Sequence, residues 1–226
     1  MPRAERERQM LDAAVRVFGK RGYRAASMDE IAVLAGVSKP LVYLYLNSKD
    51  DLFSACIRRE AKALVDAVRA GVRTDVAADR QLWEGLTAFF AHTAERPDGW
   101  AVLHSQARSG GDSPAGATGE PIAAEVVAMR EEIVAFVTHL IAEAAREAHG
   151  NPELAEREVA GLAQALVGAA EALANWANTD ASVSAKEAAT TLMNFAWSGL
   201  GNLMVGERWS EGSWTSASPP TRAPRP

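Results

Sequence analysis

The chain has 226 residues, 48% hydrophobic and 23% charged, with a single cysteine, Cys56. That length gives one or two domains with a full apolar core, and one cysteine excludes an internal disulfide or a cysteine-based metal site within one chain. The net charge of −5 is unevenly spread. Residues 1–50 hold nine Lys/Arg against six Asp/Glu and the remainder fifteen against twenty-three, so a basic head precedes an acidic body. An anionic partner is expected at the head alone.

The charged opening, "MPRAERERQM", has no apolar stretch behind it, so no secretory signal is read and a cytoplasmic location is expected. Arg3–Arg21 carries Met10, Ala13, Ala14, Val17 and Phe18 at helical spacing, and Gly22 closes it. Ser27-Met28-Asp29-Glu30 reads as a capping box, with Ser27 as N-cap and Glu30 reaching back to its backbone N–H. Ile31, Leu34 and Ala35 follow, and Gly36 stops that short helix. Ser38 opens a third helix, in which Pro40 falls within the first turn, where N–H groups have no intrahelical partner. Ser48-Lys49-Asp50-Asp51 caps a fourth, with acidic residues at its positive end. It runs to Gly71 and buries Leu52, Phe53, Cys56 and Leu64.

Five more helices are expected: Asp79–Ala94, Asp98–Ser109, Pro121–His149, Asn151–Asn178 and one from the Ser184–Glu187 capping box to Gly206. "GGDSPAGATG", Gly110–Gly119, is a loop by composition. The Ser- and Pro-rich segment 207–226 is expected to be a disordered tail. Ala188–Gly206 carries no charge, yet Thr190, Asn194, Ser198 and Asn202 interrupt it, so it reads as a buried helix rather than a membrane span. No strand or repeat is evident. The fold class is all-α, about nine helices by this reading. Segment 1–47 is expected to be a three-helix head, 48–73 a connecting helix and 74–206 a separate helical body, whose expected roles in ligand binding and dimerisation follow from the residues below.

Three short helices, the second and third joined by "AGVS", describe a helix-turn-helix. In the third helix Val42 and Leu46 are four apart and can both face inward. Lys39, Leu41, Tyr43, Leu44 and Tyr45 are left less buried. A major groove admits such a helix and offers thymine methyls to apolar side chains. Tyrosine hydroxyls and Lys49 can reach phosphates, as can backbone N–H groups at helix starts. Packing of Tyr43 and Tyr45 on the fourth helix is the alternative. Arg3, Arg6 and Arg8 are either a solvated helix start or further DNA contacts.

Arg21–Leu52, "RGYRAASMDEIAVLAGVSKPLVYLYLNSKDDL", resembles the DNA-binding domain of the tetracycline-repressor (TetR) family of bacterial regulators. The resemblance rests on Gly22-Tyr23, Ser27, Ile31-Ala32, Ala35-Gly36-Val37-Ser38, Tyr43, Ser48-Lys49 and Leu52. It implies a homodimer on a palindromic DNA operator, usually as a repressor, with a ligand in the body that changes the separation of the heads. Carried onto this sequence, it puts Lys39, Pro40, Leu41, Tyr43 and Tyr45 on the operator and Lys49 on a phosphate. With Ser27 and Ser38 at the helix starts, these form the expected DNA-binding set. Pro40 and Leu41 stand where many members have glycine and a small polar residue, and Leu46 where phenylalanine is usual.

In the body, Val159–Ala177 has Gln164, Glu171 and Asn175 as its only polar side chains. A helix apolar nearly all round is buried on most sides, and the last helix is similar. Together they suggest a self-paired four-helix interface across a two-fold axis, for which Leu166, Ala169, Leu173, Leu192, Leu200 and Leu203 are the candidates. Gln164, Glu171 and Asn175 share one face. They are either the polar wall of a pocket or partners of a neighbouring helix, for example of Arg130. Phe90, Trp100, His104, Met129 and Phe136 complete the candidate ligand set, which favours a small apolar or aromatic inducer. His92, His104, His139 and His149 lack metal-ligand spacing, and no cofactor is expected. No nucleophile elbow, phosphate loop or HExxH is present, so an enzyme is not expected. A constitutive DNA-binding protein with a filled core is the alternative function.

Overall fold

The computed structural model describes residues 2–108, 119–147 and 156–204. Among these the chain forms nine helices and no strand. They are α1 (Arg3–Ala25), α2 (Met28–Leu34), α3 (Lys39–Leu46), α4 (Lys49–Gly71), α5 (Ala78–Glu95), α6 (Pro97–Arg108), α7 (Gly119–Glu147), α8 (Glu156–Thr179) and α9 (Ala185–Met204). No helix among the described residues is long and apolar enough to cross a membrane. The loop read at Gly110–Gly119, the start read at Asn151-Pro152 and the tail 207–226 lie outside the described residues, save Gly119 itself, which opens α7.

Helix starts follow local chemistry. The Ser48 hydroxyl accepts from Asp51 N–H at 3.0 Å and donates to the Asp51 carboxylate at 2.9 Å. Ser184 accepts from Glu187 N–H at 3.1 Å. Ser27 accepts from Asp29 N–H at 3.2 Å, but the expected return bond from Glu30 is absent. The Glu30 carboxylate lies 3.5 Å from the Arg21 guanidinium instead. Ser38 holds the extended N-cap conformation without a side-chain cap bond; its carbonyl accepts from Leu41 and Val42 N–H. Gly22 breaks α1 at φ 74° rather than ending it, and one more turn follows to Ala25. Gly36, at φ 65°, makes the turn between α2 and α3, where a Cβ would be strained.

The head packs α1, α2 and α3 on the start of α4. Met10, Ala14, Ile31, Val42, Leu52 and Phe53 are at most 1% exposed. Phe18 meets Phe53 edge-on at 4.8 Å, and Tyr23 lies 5.0 Å from Phe53. Burying each such aromatic contributes about 1.5–3 kcal/mol. The body packs α5 against α4 and α9, and α7 against α4 and α8. Thus α4 belongs to both parts, with Leu52 and Phe53 in the head core and Leu64 and Val68 in the body core. The start of α6 wedges against the head. A Cβ on Gly19 of α1 would lie 2.6 Å from the Asp98 carbonyl oxygen, so glycine sets how closely these backbones approach.

Candidate DNA interface and ligand cavity

On α3, Val42 and Leu46 point inward, 0% and 7% exposed. Lys39, Pro40 and Tyr43 are exposed, Leu44 is 73% exposed, and Leu41 and Tyr45 are partly covered. The inward pair sits four residues apart, so the remaining side chains fan over the outer surface. Lys39 Nζ donates to the Asp29 carboxylate at 2.9 Å, and that hydrogen bond raises its pKa. Arg3 places its guanidinium 5.2 Å from the Tyr45 ring centre, which brings the start of α1 beside α3. That contact joins residues 42 positions apart, and no local pattern announces it.

Lys49 is not a free surface cation. Its Nζ donates to the Arg24 carbonyl at 3.3 Å and stands 4.6 Å over the Tyr23 ring. Partial burial lowers its pKa, opposed by Asp50. The Tyr23 hydroxyl donates to the Asp50 carboxylate, and burial followed by that bond pushes the phenol upward. Lys49 is therefore held at a defined point at the α4 N-terminus, whose first-turn N–H groups also favour an anion.

In the body a cavity of about 60 Å³ lies between α4, α5, α6, α7 and α8. Its wall is apolar: Leu64 and Val68 of α4, Leu82, Leu86 and Phe89 of α5, Trp100 of α6, Met129, Ile133 and Phe136 of α7, and Leu166 and Val167 of α8. Gly85 of α5 also lines it. Two charged residues also line it. Arg130 donates from Nε to Glu171 at 3.0 Å and from Nη1 to Gln164 at 2.7 Å. Glu171 is both a wall residue and an interhelical partner, so the two readings of its role coexist.

Of the candidate ligand set, Trp100, Met129, Phe136 and Glu171 line the cavity; Phe90, His104, Gln164 and Asn175 do not. Successive helical residues are about 100° apart, so Phe89, facing the cavity, turns Phe90 away into an edge-on contact at 5.2 Å. His104 stacks on Trp100 at 5.5 Å. Gln164 reaches the cavity only through Arg130. Asn175 continues the Glu171 stripe about 6 Å further along α8, beyond the cavity. The α4 wall residues were missed by the sequence reading, which took α4 as a connector.

The expected dimer set also needs correction. Leu166 lines the cavity and is 6% exposed, and Leu192 is 1% exposed within the single chain, so neither has surface to offer a second copy. Ala169, Leu173 and Leu200 are partly covered, and the Leu203 side chain lies outside the described set. Among the described residues of these helices, the large exposed apolar side chains are Trp176 at 46%, Phe195 at 72% and Trp197 at 58%.

A helix-turn-helix head joined through a shared helix to a cavity-bearing helical body defines a DNA-binding regulator. Family models agree on both parts. Residues 10–56 match "Bacterial regulatory proteins, tetR family" and residues 78–199 match "Tetracyclin repressor-like, C-terminal domain". The chain belongs to the TetR family of transcriptional regulators. It is 33% identical over 204 residues to the HTH-type transcriptional activator FasR of Mycolicibacterium smegmatis, covering 90% of this chain and 86% of that one. Among solved structures it resembles a TetR-like transcriptional regulator from Rhodococcus sp. RHA1, at 34% identity and TM-score 0.74, over 89% of this chain and 98% of that one. The fold is also that of FadR from Bacillus subtilis in complex with stearoyl-CoA, at 18% identity and TM-score 0.67, over 85% of this chain and 98% of that one.

Proposed function

We propose that the protein is a ligand-responsive transcriptional regulator that binds a palindromic operator as a homodimer and is released by a small, largely apolar ligand carrying an acyl chain. The observation that carries this reading is the double membership of α4. Leu64 and Val68 wall the cavity while Leu52 and Phe53 lie in the head core. A cavity of about 60 Å³ has room for a few waters. A drug-sized or larger occupant must therefore push wall helices apart, and α4 carries that displacement to the head. A ligand that fits better when the heads are misplaced for the operator shifts the population off DNA. The apolar wall suits a hydrocarbon chain, and the shared fold accommodates stearoyl-CoA in the Bacillus subtilis protein.

The test is a gel shift of the purified dimer on DNA upstream of its own gene, at stated salt, titrated with stearoyl-CoA. Loss of a specific shift with rising ligand is expected. A specific shift indifferent to acyl compounds sinks the ligand reading and leaves the constitutive binder. Repression is the mode the family resemblance implies. The relative matching 90% of the chain is named an activator, which favours activation as a second reading. In vitro transcription from the operator-bearing promoter separates the two by sign.

A further inference from the structure

Trp100 is the fourth residue of α6, is 6% exposed, and forms part of the cavity wall. Phe89 meets its ring edge-on at 5.6 Å and 87°, and His104 stacks on it at 5.5 Å and 23°. These contacts use the ring alone. The indole N–H is buried and has no hydrogen-bond partner among the described residues. An indole nitrogen can only donate, and an unmet buried donor is one of the exceptions that demand a reason. Packing does not supply one, because phenylalanine fills an apolar wall without a donor. The charged groups of the same wall are already matched, Arg130 to Glu171 at 3.0 Å and to Gln164 at 2.7 Å.

We infer that Trp100 is the residue that reads the ligand's acyl group, its indole N–H donating to a neutral carbonyl oxygen brought inside the cavity. The inference rests on the cavity being the ligand site. A neutral donor in an apolar wall favours an uncharged acceptor, since a carboxylate there would shed its hydration for one neutral hydrogen bond. The chemical class is therefore an acyl thioester or ester, rather than a free fatty acid or a plain hydrocarbon.

The test pairs one substitution with one change in ligand. Stearoyl-CoA and its S-octadecyl thioether, which lacks the carbonyl, are titrated by calorimetry against the parent dimer and against Trp100→Phe. The parent is expected to hold the thioester about tenfold more tightly than the thioether, the worth of one buried hydrogen bond. Trp100→Phe should lose that tenfold for the thioester and nothing for the thioether. Equal losses for both ligands, or a parent that does not distinguish them, would overturn the inference while leaving the cavity as the binding site. Binding of neither ligand to the parent would remove the site reading itself, and the inference with it. A far-ultraviolet circular-dichroism spectrum and a sedimentation coefficient equal to the parent's show that Trp100→Phe keeps the fold. Should the variant misfold, the parent labelled at indole nitrogen decides. The Trp100 N–H resonance shifts downfield and resists solvent exchange with the thioester only, and a resonance that responds alike to both ligands refutes the assignment.

Discussion

Arg96 and Glu60 join the body to the shared helix. Arg96 Nη2 donates to both Glu60 oxygens at 2.8 Å and Nε to one at 3.0 Å, while Glu60 is 1% exposed. Arg59 adds two donors to the same carboxylate at 3.0 and 2.9 Å, and its Nη1 meets Asp12 of α1 at 2.8 Å. A chain of charges thus runs from α1 through α4 to the α5–α6 junction. A Cβ on Gly99 would collide with Glu60 Oε2, so the start of α6 closes this site.

The two ends of that pair should not cost the same to remove. Arg96→Met leaves a buried carboxylate with one cation instead of two, at a cost of about 2–3 kcal/mol. Glu60→Ala leaves Arg59 and Arg96, 25% and 41% exposed, able to turn toward water. That variant should cost about 1–2 kcal/mol. Urea midpoints of the two variants decide the order; a larger loss for Glu60→Ala would mean the network chiefly serves to neutralise the arginines.

Cys56 sits at 0% exposure, and burial pushes its thiol up to about 12. The unfolded thiol ionises near about 8.5. Between those values the unfolded state loses its proton and the folded state keeps it, so rising pH favours unfolding. The stability contribution is complete below the unfolded value and is lost as pH climbs toward the folded one. Its slope approaches about 1.4 kcal/mol per pH unit. Comparing the parent with Cys56→Ala from pH 8 to 11 isolates this slope from other titrating groups. The folded thiol should also ignore a disulfide reagent at pH 8, and rapid labelling without denaturant would contradict the buried placement.

Operator affinity should respond to Asp29 as well as to Lys39. The 2.9 Å pair places a carboxylate beside the recognition helix, and DNA must compete for Lys39. Asp29→Asn is expected to tighten operator binding several-fold at low salt. Lys39→Ala and Lys49→Ala should weaken it, each lowering the salt slope by about one if it meets a phosphate. A Lys49→Ala slope equal to the parent's would assign Lys49 to packing on Tyr23 alone.

Helix order and the two faces of α3 were readable because capping serines, stop glycines and four-residue spacing are local signals. Leu52, Phe53, Cys56 and Leu64 were found the same way. Periodicity separates inside from outside but cannot tell an inward residue that meets a neighbour from one that meets a void. That is why Phe90 was expected at the cavity and Val68 was not, and why Leu192 was expected on a surface. Glu60 escaped notice for another reason. A carboxylate preceded by two arginines in an amphipathic helix reads as solvated, and the partner that buries it lies 36 residues away. Arg3 over Tyr45 is hidden likewise.

The exposed aromatics of α8 and α9 carry the last prediction. Phe195 at 72%, Trp197 at 58% and Trp176 at 46% are large apolar side chains on two helices that pack on each other. Exposed apolar area of that kind marks a contact surface, and closed two-fold pairing would cover both copies at once. Phe195→Glu and Trp197→Glu together should give a monomer by sedimentation velocity while helical content and cavity binding persist. The operator complex should then fail, because two recognition helices spaced about 34–36 Å apart must be linked to read both half-sites together. A double variant that still sediments as a dimer would move the interface elsewhere. A monomer that kept full operator affinity would instead show that one head suffices, and with it the coupling of ligand to head separation would lose its physical basis.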